Sequence, residues 1–239
     1  STLQSGYDLT VTSYSPEGRL LQLEYVQRRV HSSQTITAIT CTDGLVLFAE
    51  KSIDAFRKGF VECRMMVFLN KINILVGTGL FQDFQRIIER AKTDSISFKE
   101  NFSNFLTGKL LASRIASLIH LQTRYWYIRP LCCSLFLGSV NLNVPELYII
   151  TQAGHYFKCF SGSLGEKSEI FKITIDKFLD NQLTCRKSIK KIYSLYQQIK
   201  KNFNFNYLEI ACFSKENFRI KTTISCNLMI EIQRKFNFS

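Results

Sequence analysis

Proline is scarce in this 239-residue chain, at three residues, and glycine is modest at eleven. Collagen-like and Pro/Gly-rich disordered classes are therefore excluded. Histidine is also rare: His31, His120 and His155 lie far apart in sequence. A histidine metal cluster would need a long-range meeting, so each reads as structural. No apolar run reaches the ~18 residues of a membrane-spanning helix, so no membrane partner is expected. The start, Ser1-Thr2-Leu3-Gln4-Ser5-Gly6, has no basic region followed by an apolar stretch, so no secretory leader is expected. What is present is ordinary for a globular protein: 46% hydrophobic and 21% charged residues. A chain of this length suits one large domain that buries roughly 70–75% of its unfolded surface.

Acidic residues are in deficit, 19 against 31 basic, giving a net charge of +12. The densest cationic stretch is Arg186-Lys187-Ser188-Ile189-Lys190-Lys191, followed by Lys200-Lys201. Its apolar residues Ile189, Ile192, Tyr193, Tyr196 and Ile199 recur at helical spacing, which leaves the lysines on a solvated outer face. Charge alone speaks to association and not to fold, and no aromatic-lined basic stripe or readable motif accompanies it; no nucleic-acid partner is expected. The eight cysteines are Cys41, Cys63, Cys132, Cys133, Cys159, Cys185, Cys212 and Cys226. Most sit in apolar strand-like runs, where cysteine acts as a small hydrophobe. The absence of a CxxC pair argues against structural zinc, and buried free thiols in a reducing compartment are expected.

Periodicity gives a coarse element order. Ser15-Pro16-Glu17 reads as a helix start, with Ser15 as cap, Pro16 in the first turn and Glu17 at the positive dipole end. That helix runs to about residue 30, where His31-Ser32-Ser33 ends it. Strands are expected over 35–41 and 45–49 around the turn Thr42-Asp43-Gly44, then over 65–69 and 72–78. Leu80, Phe84, Ile87, Ile88 and Ala91 mark one helical face, and Leu111, Ile115, Leu118 and Ile119 another. Strands over 131–139, 146–151 and 155–160 precede helices over 164–179 and 184–201. Strands over 207–213 and 218–222 and a helix from Ser225 complete the order. Strands and helices come in blocks, which favours antiparallel sheets with segregated helices. Two stacked sheets covered by helix pairs would satisfy the pattern.

Several catalytic motifs fail on inspection. Gly77-Thr78-Gly79-Leu80-Phe81-Gln82 begins like a dinucleotide loop but has Gln82 where the third glycine belongs. Gly162-Ser163-Leu164-Gly165-Glu166-Lys167-Ser168 lacks the phosphate-loop spacing and carries Glu166, which would repel phosphate; it reads as a glycine-rich turn before a helix. No GxSxG is present, and nothing flags a catalytic pair among the 19 acids. No cofactor is expected.

The run Gly6-Tyr7-Asp8-Leu9-Thr10-Val11-Thr12-Ser13-Tyr14-Ser15-Pro16-Glu17-Gly18-Arg19-Leu20-Leu21-Gln22-Leu23-Glu24-Tyr25 closely resembles the N-terminal signature of proteasome α subunits, YD…(F/Y)SP(E/D)GRLxQxEYA. The resemblance continues through Thr35-Ile36-Thr37-Ala38-Ile39 and Asp43-Gly44-Leu45-Val46-Leu47-Phe48-Ala49. Gly79-Leu80-Phe81-Gln82-Asp83 is similar to the family's SGLxxD turn. Ile128-Arg129-Pro130-Leu131 is similar to its VRPFG element, with Cys132 replacing glycine. Ala153-Gly154-His155-Tyr156 is similar to its PSG/PAG turn, with Gln152 replacing proline. Within the ring, the seventh α position fits best, through the GYDL start, Cys41 before the first turn, Cys133-Ser134-Leu135-Phe136-Leu137-Gly138-Ser139, and Leu183-Thr184-Cys185-Arg186. The first α position, whose members carry RPLGCC, is the runner-up.

The resemblance implies an α+β Ntn-hydrolase fold: a four-layer αββα sandwich of two antiparallel sheets covered by helix pairs, with an extra N-terminal helix. It implies a gating tail over 1–15 and one sandwich domain over 16–239, including a signature helix over 16–31. The implied role is structural, in the outer ring of the 20S core particle, with contributions to assembly, gating and activator docking in ubiquitin-dependent degradation. Implied partners are two neighbouring α subunits, β-ring subunits, and the tails of a regulatory-particle ATPase or another activator; the implied location is cytoplasm and nucleus. Tyr7, Asp8, Pro16 and Tyr25 match positions that cluster between subunits to hold the gate. Leu20 and Leu23 are expected at the ring interface. The activator pocket of the family uses a lysine whose place is taken by Met65; Arg64 beside it can pair with a carboxylate. Catalytic relatives use a freed N-terminal threonine whose amine is the base. Here that column falls near Gln34, residues before it are retained, and the catalytic-lysine column falls near Met65. No catalytic residue is expected. An active Ntn amidase is the competing reading, with Thr35 as nucleophile and His31 the one nearby base.

Overall fold

Alternation of apolar residues along the first hairpin sets the architecture. In the computed structural model the described residues are 6–51, 65–141, 144–178, 183–200 and 208–214. Strands β1 (Ile36–Cys41) and β2 (Gly44–Glu50) pair antiparallel across the short turn. Ile36, Ala38, Leu45, Leu47 and Ala49 enter one core, while Ile39, Cys41, Val46 and Phe48 enter another. The side-chain period of two thus sends each strand's residues to opposite faces, and both faces are buried.

Strands β3 (Met66–Phe68), β4 (Asn73–Gly79), β5 (Cys133–Asn141), β6 (Val144–Ile150) and β7 (Tyr156–Cys159) form a five-stranded antiparallel sheet in chain order. Strands β8 (Ser161–Leu164) and β9 (Leu208–Ser214) flank the first hairpin, giving the order β8-β1-β2-β9. The sheets stack on a shared core that includes Leu45 and Leu47 from one and Leu75, Leu135 and Leu137 from the other. Helix α1 (Leu21–His31) precedes the sheets. Helices α2 (Phe81–Phe102) and α3 (Gly108–Gln122) join the same core through Phe84, Ile87, Ala91, Leu111, Ile115 and Ile119. Helices α4 (Ser168–Phe178) and α5 (Cys185–Ile199) cover the other sheet through Phe171, Ile175, Ile189, Ile192, Tyr193 and Tyr196. This is the anticipated αββα sandwich.

Three details differ from the sequence reading. The first helix starts at Leu21 and not at Pro16. Residues 15–19 instead close a turn: the Gly18 amide donates to the Ser15 carbonyl at 2.9 Å and the Ser15 amide to the Arg19 carbonyl at 2.9 Å. Gly18 sits at φ +76°, a left-handed conformation that ends any helical run from Pro16. The second difference is β8, read from sequence as a turn. Ser-Gly-Ser-Leu has little strand propensity, but pairing with β1 recruits it. A Cβ at Gly162 would meet the Phe136 ring at 2.9 Å, so the strand packs closely because that residue is glycine. In consequence α4 starts at Ser168 and not at 164. The expected strand over 218–222 and the helix from Ser225 lie outside the described residues.

Candidate functional site

Two places carry the functional question: the signature segment, and the start of β1 where a terminal nucleophile would stand.

The signature folds back on α1. Asp8 is its pivot: its carbonyl accepts a hydrogen bond from Gln22 Nε2, and its Oδ2 accepts one from the Tyr25 hydroxyl at 3.4 Å. Partial burial, then the Asp8 carboxylate, raises the Tyr25 phenol above its ordinary value, so it stays a donor at neutral pH. Arg19 grips Glu24 with two hydrogen bonds, Nε to Oε1 at 2.5 Å and Nη2 to Oε2, and that contact holds the Glu24 carboxyl below the usual range. The Arg19 amide also donates to Ser15 Oγ at 3.2 Å. Signature positions 8, 15, 19, 22, 24 and 25 therefore interlock.

Their neighbours face outward. Tyr7 is 40%, Leu9 80% and Tyr14 64% exposed, and Pro16 is exposed. Helix α1 buries Leu21, Val26 and Val30, the last two against Cys132, with Leu80 packed alongside. Leu20 and Leu23 remain partly buried, off that inward face. The structure thus joins Asp8 to Tyr25 and leaves Tyr7 and Pro16 on the surface. Arg64 lies outside the described residues. Met65 is 7% exposed in the main core, and its carbonyl accepts the Gly77 amide at 2.9 Å, so its side chain faces core residues and not an open groove.

The floor under α1 is an ion pair that periodicity does not reveal. Asp83, in the first turn of α2, is 4% exposed. It accepts Arg129 Nη1 at 2.7 Å and Nη2 at 2.6 Å, and the Cys132 amide at 2.7 Å. Burial pushes the Asp83 carboxyl up, but the Arg129 and Cys132 hydrogen bonds outweigh it and hold it below its ordinary value. Gly79 makes this approach possible: at φ +126°, a Cβ there would lie 2.1 Å from the Cys132 carbonyl oxygen. The GLFQD and IRPL segments, which sequence shows only as separate motifs, are one locked junction.

At the start of β1, Thr35 is fully buried. Its hydroxyl donates to the Glu166 carbonyl at 2.8 Å, and its amide to Glu50 Oε2 at 3.2 Å. The preceding residues are held as firmly. The Gln34 carbonyl accepts Thr78 Oγ1 at 2.5 Å, and the Ser33 carbonyl accepts the Glu166 amide at 2.8 Å. Gly165, at φ +94°, would drive a Cβ within 2.3 Å of the Gln34 oxygen, so chain fills this corner. His31 is exposed at the end of α1. An amide-linked threonine whose hydroxyl proton is engaged has neither the amine base nor the freedom to attack.

Known proteins place these features in a family. Residues 30–212 match the proteasome subunit family, and residues 7–28 match the N-terminal signature of its A-type members. The chain is 34% identical to the alpha type-3 proteasome subunit of Oryza sativa subsp. japonica over 234 residues, covering 96% of this chain and 93% of that one. It is 32% identical to the alpha type-3 subunit of Spinacia oleracea, covering 97% and 94%. It is 26% identical to a probable alpha type-7 proteasome subunit of Schizosaccharomyces pombe, covering 98% and 92%. Fold and signature together define an Ntn-type sandwich carrying an added N-terminal helix. The chain belongs to the proteasome α-subunit family, the structural subunits of the α ring of the core particle. Such subunits are generally non-catalytic and assemble with other members of the particle.

Proposed function

We propose that this chain is a non-catalytic, gate-bearing subunit in the seventh α position of the ring, within a threonine-protease particle of cytoplasm and nucleus. The single observation that supports gating most strongly is the Asp8–Gln22–Tyr25 linkage, which ties the lead-in to α1 while Tyr7, Leu9 and Tyr14 stay exposed. A segment anchored at one point and apolar on its outer side is suited to meet a neighbouring subunit. Leu20 and Leu23 extend that surface along α1. The occupied corner around Thr35 supports the non-catalytic reading. The seventh position is favoured by the alpha type-3 and type-7 names of the relatives, with the first position as the alternative. β-ring subunits dock on the same ring, and Arg64 is the cation proposed to receive an activator's C-terminal carboxylate.

The test is deletion of residues 2–8 in the assembled particle. Peptide hydrolysis should rise with subunit composition unchanged. Unaltered latent activity would refute a gating role for this tail.

A further inference from the structure

Cysteines that look scattered in sequence converge in the fold. Cys41 ends β1, Cys185 opens α5, and Cys212 lies on β9 opposite Val46 of β2. Cys41 and Cys185 are buried, and Cys212 is partly buried. The Cys185 thiol interacts with both neighbouring thiols, Cys41 and Cys212. Asp43, in the turn after β1, joins them: its Oδ1 accepts the Cys185 amide at 2.7 Å, which fixes the carboxylate over the start of α5. One ligand atom each from Cys41, Asp43 and Cys185 lies within 4.8 Å of the others. The Thr42 amide donates to the Leu183 carbonyl at 3.1 Å, clamping this turn to the same helix start.

Apolar packing explains only part of the arrangement. Cys41, Cys185 and Cys212 pack in the core between the outer helices and β1, β2 and β9, yet Cys41 Sγ also lies 3.1 Å from Ser188 Oγ and beside the Asp43 carboxylate, polar contacts that a small hydrophobe does not need. We propose that Cys41, Asp43, Cys185 and Cys212 form a structural site for a thiophilic divalent cation, Zn²⁺. Tetrahedral zinc, with bonds of about 2.3 Å to sulfur, needs ligand atoms about 3.8 Å apart. The separations of up to 4.8 Å among Cys41, Asp43 and Cys185 therefore need a closure of about 1 Å, within reach of side-chain rotation, and Cys212, outside that group, turns in as the fourth ligand. Three sulfurs and one carboxylate select zinc over hard cations such as Mg²⁺ or Ca²⁺. The bound ion would staple α5 to both β1 and β9, and would release the thiol protons as it enters.

The test uses the full chain under a non-thiol reductant, with Cys63 and Cys226 replaced by serine so that only described cysteines remain. Zn²⁺ is added alone and followed by native mass spectrometry; Co²⁺ is used in parallel for its thiolate charge-transfer absorption. One ion per folded chain is expected. Cys185→Ser should weaken binding at least ~100-fold and Asp43→Asn by ~10-fold or more, while Cys159→Ser should leave it unchanged. Should Cys185→Ser fail to fold, Cys212→Ser and Asp43→Asn carry the same test. A reduced, folded chain that takes up no ion, or binds it equally without Cys185, overturns the proposal. So does a Cys41–Cys185 or Cys185–Cys212 disulfide that persists under the reductant and excludes the ion, which would make the cluster a redox bridge.

Discussion

Replacing Asp83 tests whether the junction beneath α1 is held by charge. The side chain is 5% exposed and accepts three hydrogen bonds, two from Arg129 and one from the Cys132 amide. Arg129 is 60% exposed, so water resolvates its guanidinium when the partner is lost, and the pair itself contributes only about 0.5–1 kcal/mol. The larger cost is the Cys132 amide, buried and left without its acceptor, at about 1–3 kcal/mol. Asp83→Ala should therefore destabilise by about 1.5–4 kcal/mol, a fall of roughly 3–16 °C in Tm for a domain of this size. Asp83→Asn keeps one oxygen and should cost about half as much. The pH dependence separates charge from shape. The folded Asp83 carboxyl titrates below its ordinary value of about 3.9. Its stabilising contribution is thus fully present above that value and is lost as pH falls through the lower, folded one. Urea unfolding of wild type and Asp83→Asn at pH 7 and at stepped values below pH 4 should show the gap narrowing toward acid. A gap of less than ~0.5 kcal/mol at pH 7, or one that persists unchanged into acid, would refute the argument.

Three further outcomes are expected. Substituting Leu20 and Leu23 together by Asp should cut incorporation into particles while shifting the Tm of the chain by no more than a few degrees, because the buried face of α1 is Leu21, Val26 and Val30; normal yield in native gels would place both leucines in internal packing. Gly79→Ala should cost more than ~3 kcal/mol, read by thermal unfolding, since the new Cβ would lie 2.1 Å from a backbone oxygen at φ +126°; a change within ~0.5 kcal/mol would show that the α2 start can shift. The isolated chain should label with no threonine-directed covalent probe, and Thr35→Ala should lower stability by ~1 kcal/mol through the lost bond to Glu166; labelling abolished by that substitution would reinstate a catalytic reading.

The sandwich was legible because burial is periodic. The face of Phe84, Ile87, Ile88 and Ala91 appears in sequence and is buried as a unit on α2. Strand β8 was not legible, because its order comes from pairing with β1 and packing on Phe136, both distant in sequence. The turn over 15–19 was misread for a related reason. Ser-Pro-Glu is a good helix start locally, and only the left-handed Gly18 shows that the chain turns first. The signature motif named Asp8 and Tyr25 but not their geometry: the two meet across 17 positions. Asp83 and Arg129 lay in two recognised motifs 46 positions apart, so the signal was present, but no periodicity joins them. The cysteines show the limit most clearly. Ligand spacing in sequence argues against a site, while the turn after β1 and the start of α5 bring Cys41 within 3.1 Å of Ser188 across 147 positions.

Keeping the signature helix attached and withholding a free amine from Thr35 are one structural condition. Residues 32–34 link the end of α1 to the start of β1, and they are bound to α1 at one side and to the sandwich at two points. Ser33 Oγ donates to the Arg29 carbonyl at 2.7 Å, the Ser33 carbonyl accepts the Glu166 amide at 2.8 Å, and Thr78 holds the Gln34 carbonyl at 2.5 Å. At about 0.5–1.5 kcal/mol each, the two bonds to the sandwich contribute about 1–3 kcal/mol that cleavage before Thr35 would put at risk. Cleavage would also free α1 from the covalent tether that brings Val26 and Val30 onto Cys132 and Leu80. The same uncut peptide that denies Thr35 a free amine therefore delivers α1, and with it Asp8 and Tyr25, to the edge of the sandwich. A sequence that kept the signature helix could not also present a terminal threonine at this corner, so the two roles exclude each other on this fold.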